Sequence, residues 1–235
     1  MKTKFPKVRR LLYQVGRLTK QNTDVDAQRE ATHFKNRVID LVDVFVKKQS
    51  SSPHIIRLIL PLIDLIAGTG VDEKQMSDKA TGLLRNRIAK LRDVPSTIDA
   101  EVASTILDEL HRRARKARTP NLLATLNPCS LYMARTLLHA GAEDSVVRIY
   151  RESLMDFASR KASSLNVAFI QDFIRRNPVP GWGLREDILS ASTKAINVYR
   201  RCQSFQLLGV LLNQIPALVR YCLENKRRPG QNYSH

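Results

Sequence analysis

The sequence predicts an all-α fold, a HEAT- or armadillo-like α-solenoid or an irregular stack of helical pairs, with about eight or nine helices. Three observations carry that reading. Apolar residues recur at three- and four-residue spacing along most of the chain, and no segment shows the apolar–polar alternation of a half-buried strand. Glycine and proline punctuate these stretches at short turns. Residues 33–66, HFKNRVIDLVDVFVKKQSSSPHIIRLILPLIDLI, set a half-polar helix beside one that is apolar nearly all round. A helix that apolar needs cover on both sides, which favours stacked layers over an irregular bundle although no strict repeat period is legible.

The first helix spans about Asp26 to Lys48, with Phe34, Val38, Leu41, Val42 and Phe45 on its expected inner face. Ser52-Pro53 supplies a cap and first-turn proline for the second, whose polar residues His54, Arg57, Pro61 and Asp64 fall on one narrow stripe. Gly68 and Gly70 end it. A third helix covers about Glu73 to Leu91, with Ala80, Leu84, Ile88 and Leu91 inward. Pro95-Ser96 restarts the chain, with Asp99 as a capping-box acid, and the fourth helix carries its apolar stripe on through Ala114 and Ala117. A loop is expected near Thr119–Leu126, then Asn127-Pro128 opens a helix that Gly141 closes. Helices at about 143–160 and 164–176, the turn NPVPGWG at 177–183, and two helices to about Leu223 complete the series. The domain plan is a basic arm at 1–24, one helical repeat domain at 25–224 and a basic or polar tail at 225–235.

With 235 residues, 43% of them hydrophobic, the chain can bury a sizeable core. The apolar run of the second helix, broken by Arg57, Pro61 and Asp64, is too short to cross a bilayer core of roughly 30 Å, and no membrane partner is expected. Cys129, Cys202 and Cys222 lack CxxC spacing and fall in helical patterns, as reduced thiols acting as small hydrophobes do. The net charge of +17 is unevenly spread. Residues 1–20 hold seven cations, among them Lys7, Arg9 and Arg10, and no acid. The run HRRARKAR at 111–118 holds five more, Arg112, Arg113, Arg115, Lys116 and Arg118, again with no acid. Blocks of one sign are typical of surfaces that meet nucleic acid or acidic protein. Arginine forms paired hydrogen bonds with phosphate oxygens, so this run is the leading nucleic-acid-binding candidate. Arg85, Arg87, Lys90 and Arg92 extend it if the third and fourth helices pack antiparallel. The bland alternatives are a solvated helix end, favoured by the helix dipole, and a nuclear localisation signal. The acid-free arm also has the composition of a mitochondrial transit peptide.

Aromatic side chains are scarce, and Tyr132, Tyr150, Phe157, Phe169, Phe173 and Tyr199 occupy expected core positions, which argues against base-stacking recognition. Trp182, between two glycines, is a partner-binding candidate whose simpler role is to fold back on its own core. The five histidines are scattered, and none shares a metal-ligand spacing with a cysteine or carboxylate. Asp40 and Asp43 share a helix face as magnesium ligands would, but surface acids commonly do the same. No phosphate loop, nucleophile elbow or HExxH is present, so neither an enzyme, a cofactor, a metal nor a small-molecule substrate is expected.

The block HFKNRVIDLVDVFVKKQ with LILPLIDLI resembles the C-terminal region of the DNA polymerase phi family, also called the Myb-binding protein family and, in yeasts, the fifth DNA polymerase. NPCSLYMARTLL at 127–138 and VVRIYRESLMDFASRKASSLNVAFIQDFIRRNP at 146–178 resemble it in the same order. The resemblance covers roughly 33–178 and rests on packing patterns rather than catalytic signatures. It implies a nuclear, mainly nucleolar factor of ribosome biogenesis and ribosomal RNA gene transcription, built on armadillo-like repeats and lacking polymerase chemistry. The implied partners are pre-rRNA or rDNA, pre-ribosomal particle proteins and transcription factors. The alternative is a protein-interaction solenoid acting as a transcriptional co-regulator, its basic run serving only nuclear import. The family's long N-terminal repeats and acidic stretch are absent, so a C-terminal fragment is expected.

Overall fold

The computed structural model describes residues 27, 29–68, 74–95 and 97–226. Helix α1 occupies 29–48. It is followed by α2 (Ile55–Gly68), α3 (Lys74–Asn86), a 3-10 turn (Ile88–Lys90), α4 (Ala100–Arg115) and α5 (Pro120–His139). Then come α6 (Glu143–Ser159), α7 (Val167–Arg176), α8 (Pro178–Trp182), α9 (Arg185–Lys194), α10 (Val198–Leu212) and α11 (Ile215–Lys226). The described residues contain no strand, and the fold is all-α as predicted. The expected arm, with Lys7, Arg9 and Arg10, and most of the expected tail lie outside the described residues.

Helical pairs form the stack. Helix α2 packs on α3, α4 on α5 and α9 on α10, while α6 bridges the middle by touching α4 on one side and α9 on the other. One continuous core runs from Ile39 to Leu211. The near-uniform greasiness of α2 is explained by its place: Ile55, Ile56, Ile59, Leu62 and Ile63 are buried. His54, Arg57, Pro61 and Asp64 form its exposed stripe, as the sequence predicts. Gly141, at φ 80°, closes α5 because its missing Cβ tolerates the left-handed turn. There the N–H of Ala142 donates to the Leu137 carbonyl at 3.0 Å and that of Gly141 to Leu138 at 3.1 Å, satisfying the last carbonyls of the helix.

Several local expectations are corrected. In α1 the buried residues are Ile39 and Val46, with Val42 and Phe45 packed beside them, while Phe34 and Leu41 are each 69% exposed and Val38 is also exposed. Apolar residues cover two faces of this helix, and which face is buried depends on where its neighbours lie. The third helix breaks at Arg87 into the 3-10 turn, although Ala80, Leu84 and Ile88 are buried as expected. Asp99 is itself the N-cap of α4, accepting from the N–H groups of Glu101 at 3.0 Å and Val102 at 3.2 Å. That helix ends at Arg115.

Helix α5 begins at Thr119-Pro120 rather than Asn127-Pro128, so the expected loop is helical. Both pairs carry the cap-and-proline signature, and Pro128 is tolerated inside because the Ala124 carbonyl it leaves unbonded belongs to an exposed residue. The NPVPGWG turn is mostly the short helix α8. Its Gly181 lies so close to α7 that a Cβ would meet Ile174 Cα at 3.1 Å. Among the described residues three helices, not two, follow it. Tyr199 is exposed, whereas the other five expected core aromatics are buried.

The packing sets a clear stability contrast. Leu107→Ala, at a fully buried site, should cost roughly 2–5 kcal/mol, whereas Leu41→Ala should change stability by no more than about 0.5 kcal/mol. Urea denaturation of the two variants checks this.

Candidate nucleic-acid interface

The rotation of α4 decides what the basic run can do. Ala103, Ile106, Leu107, Leu110, His111 and Ala114 face the core. On a helix turning about 100° per residue, Arg112 then points away from the core, and Arg113 and Arg115 leave on opposite flanks. Their side-chain exposures follow this geometry, at 53% for Arg112, 23% for Arg113 and 17% for Arg115. Arg115 turns to α6, with its guanidinium 3.5 Å from Ser153 Oγ and 3.9 Å from Glu152. It does not share a surface with the others.

Arg112 and Arg113 both bind Glu109 one turn earlier. Arg112 Nε and Nη2 donate to its two oxygens at 2.5 and 2.6 Å, and Arg113 Nε donates at 2.6 Å. Arg113 Nη1 also donates to Asp64 on the exposed stripe of α2 at 2.6 Å. Hydrogen bonding from Arg112, joined by Arg113 and only partly opposed by desolvation, holds the Glu109 carboxyl at a pKa of about 2. Beyond the helix, Lys116 is the C-cap and Arg118 lies in the short connection before Thr119, which caps α5 by accepting from the N–H of Leu122 at 3.2 Å. Both cations are exposed.

Arg112, Arg113, Lys116 and Arg118 line one cleft of about 610 Å³, with Ile63 and Asp64 on its α2 wall. The start of α5 opens there too, and a helix N-terminus adds positive potential. Such a concave cationic site, lacking any aromatic lining, suits phosphate oxygens rather than stacked bases. Asp64 and Glu109 are the acids that sequence reasoning did not connect to it. Glu109 was legible from its spacing to Arg112 and Arg113; the Asp64 contact depends on α2 packing beside α4.

The second basic group lies elsewhere. Helix α3 packs on α2 and α5 rather than lying antiparallel along α4. Ser77, near its start, lines the cleft, whereas Leu91 at the far end offers its carbonyl to Arg135 late in α5. Arg135 is fifteen residues beyond Pro120, which is about 22 Å along the helix. Arg85, Arg87, Lys90 and Arg92 therefore do not extend the cleft, and Arg87 is paired with Asp43 at 3.4 Å. Asp43 also binds Lys47 at 2.5 Å, and Asp40 binds Lys79 at 2.9 Å, so each acid of the candidate magnesium pair already has a cationic partner. Trp182 is half-buried and packs against the main core.

Beneath the basic run, His111 is fully buried. Its Nδ1 lies 2.7 Å from Ser153 Oγ, and its ring meets Tyr150 and Phe169 edge-on at centroid distances of 4.4 and 5.0 Å. Tyr150 stacks on Phe173 at 3.7 Å, so the cluster ties α4 to α6 and α7.

The family model described as Myb-binding protein 1A-like, TPR repeats, matches residues 49–223. The chain belongs to that family. The Myb-binding protein 1A-like match takes in every described helix from α2 to α10 and most of α11, so the cleft is built wholly from family elements. TPR units are helix–turn–helix pairs, in keeping with the pairing of α2 with α3 and α4 with α5. A Myb-binding protein 1A-like protein of Danio rerio is 23% identical over 189 residues, covering 73% of this chain and 15% of that protein. Myb-binding protein 1A of Mus musculus is 25% identical over 180 residues, covering 62% of this chain and 13% of the mouse protein. The rDNA transcriptional regulator pol5 of Schizosaccharomyces pombe is 23% identical over 165 residues, covering 70% of this chain and 16% of the yeast protein. The chain thus spans about one-sixth or less of the relatives it matches. No solved structure matches it significantly.

The buried histidine gives a pH prediction. Burial, reinforced by the nearby Arg115 charge, lowers the pKa of His111 to about 3. The unfolded chain takes up a proton near pH 6.5 that the folded chain refuses, so stability is intact above about 6.5 and falls as pH drops towards 3, by at most about 1.4 kcal/mol per unit. The Glu109 carboxyl, whose pKa is also lowered on folding, acts in the same direction but only below about 4.5. Melting temperatures between pH 6.5 and 5 should therefore decline in the parent chain and flatten in His111→Gln.

Proposed function

We propose that this chain is a non-enzymatic helical scaffold of the nucleus, working in the nucleolus in ribosome biogenesis and rDNA transcription, and docking on pre-ribosomal RNA through Arg112, Lys116 and Arg118. The nuclear setting is supported by the printed roles of the relatives, a Myb-binding protein and an rDNA transcriptional regulator. The observation that carries the RNA contact is the convergence of these exposed cations on one cleft beside the start of α5. Arg113 is largely committed to Glu109 and Asp64 and acts as a strut for the cleft wall. With the carboxylate pair at Asp40 and Asp43 occupied by lysine and arginine, the reading needs no catalytic group.

Phosphate contacts release condensed counterions, at a log–log salt slope of about −0.7 per contact for a single strand. Three contacts should give a slope of about −2 when RNA binding is titrated by fluorescence anisotropy from low to physiological salt. Reversing Arg112, Lys116 and Arg118 to Glu together should weaken binding by about tenfold or more and shrink the slope. Salt-independent binding, or full retention by the triple variant, overturns the RNA contact. If the triple variant keeps RNA and loses only nuclear import, the basic run is a localisation signal.

A further inference from the structure

One hydroxyl of the basic cleft is placed for a chemistry that RNA docking does not use. Ser77, Thr119 and Thr125 all line the cleft. Thr125 is buried and donates to the Asn121 carbonyl at 3.0 Å, and Ser77 is half-buried within α3. Thr119 is exposed, lies in the non-helical connection 116–119 and has extended backbone at φ −133° and ψ 145°. Pro120 follows it. Thr119-Pro120 and Ser52-Pro53 are the two places in the sequence where a hydroxyl residue precedes proline, the pairing that proline-directed protein kinases select, and Ser52 is half-buried.

Phosphoryl transfer needs the acceptor oxygen in line with the γ-phosphorus and its leaving oxygen, which an exposed side chain on extended backbone reaches more readily than one packed in a helix. Thr119 Oγ accepts from the N–H of Leu122 at 3.2 Å and keeps its own proton for transfer. The cleft also suits the product. Three exposed cations, Arg112, Lys116 and Arg118, line it together with Thr119. A phosphate ester brings nearly two negative charges and three acceptor oxygens to such a cluster. Asp64, the acid among the described lining residues, is bound by Arg113 at 2.6 Å, and Glu109 is bound by Arg112 and Arg113, which limits their repulsion of a phosphate.

We propose that Thr119 is the acceptor for a proline-directed protein kinase and that its phosphate pairs with Arg112, Lys116 and Arg118, closing the cleft to RNA. The kinase brings ATP. Thr119 Oγ forms a bond to the γ-phosphorus as the bond from that phosphorus to the β–γ bridging oxygen breaks, ADP leaves with the electron pair, and the hydroxyl proton passes to the general base of the kinase. The switch rests on the RNA docking proposed above, whereas the phosphorylation site does not.

The test incubates the full chain with a proline-directed kinase of the mitogen-activated class and magnesium-ATP, with a peptide of residues 112–124 as the kinase control. Mass spectrometry should find phosphate on Thr119 of the folded chain. Thr119→Asn, which keeps a capping oxygen, and Pro120→Ala, which keeps the hydroxyl, should each lose it. Anisotropy should show the RNA affinity of the parent falling by about tenfold or more after the reaction, with a smaller salt slope, while Thr119→Asn binds equally before and after. Phosphorus NMR reads the pairing without RNA. At low salt the second pKa of the phosphate, ordinarily about 6, should fall by about half a unit or more, and the shift should vanish when Lys116→Gln and Arg118→Gln are combined. A folded chain that takes no phosphate at Thr119 overturns the site, whether or not the peptide reacts. Phosphate on Thr119 with an unshifted phosphorus titration, or with unchanged affinity in a parent that binds RNA, overturns the switch and leaves RNA docking standing. A parent that binds no RNA before the reaction overturns docking and the switch together, and mass spectrometry still decides the site.

Discussion

The burial of His111 is the constraint on which the functional surface depends. A neutral imidazole enclosed by Tyr150, Phe169 and Ser153 can occupy its site in one rotation of α4, because any other would expose the aromatic contacts and bring charged arginines into the core. That rotation then dictates the fate of each neighbouring cation. Arg112 is sent to solvent, Arg113 to the α2 side and Arg115 to α6. A run that reads as one basic block is divided by helical geometry into three directions.

Charge count and available charge therefore differ. Of the five cations of the run, Arg112 and Arg113 meet Glu109, Arg113 also meets Asp64, and Arg115 faces Glu152 on the other side. Lys116 and Arg118, placed after the helix and before the N-terminus of α5, escape this neutralisation and stand where the potential of α5 adds to their own. Arg112 is shared between Glu109 and the cleft. The cleft is accordingly small in formal charge and specific in shape, whereas the sequence-level excess spreads well beyond it.

A stacked helical architecture separates such surfaces. Each helical pair touches mainly its neighbours, so the α4–α5 cleft and the exposed apolar row of α10 lie on different parts of one stack. The uncovered apolar rows follow from the same principle. Phe34, Val38 and Leu41 on α1, and Val198, Phe205 and Leu212 on α10, lie where the described stack has no further layer. Their exposure reflects position in the stack rather than any weakness in helical pattern.

Periodicity alone determined the all-α class, the buried face of α2, α3 and α4 and the closing glycine of α5, because these depend on contacts within a turn or two. Residue order in 33–66, 127–138 and 146–178 was enough to reach the family. Tertiary structure decided everything that rests on a choice between locally equal options. Thr119-Pro120 and Asn127-Pro128 are equivalent cap signals, and packing of Leu123 and Leu126 selected the first. Two apolar faces of α1 competed, and the one facing its neighbours was buried. The basic run was visible as composition, but Asp64 in α2 and Ser153 in α6 lie 49 and 38 residues from the arginines they hold. Only the folded chain brings such distant groups within a few ångströms, and at that range spatial contact, not sequence proximity, sets which cations are held by a partner.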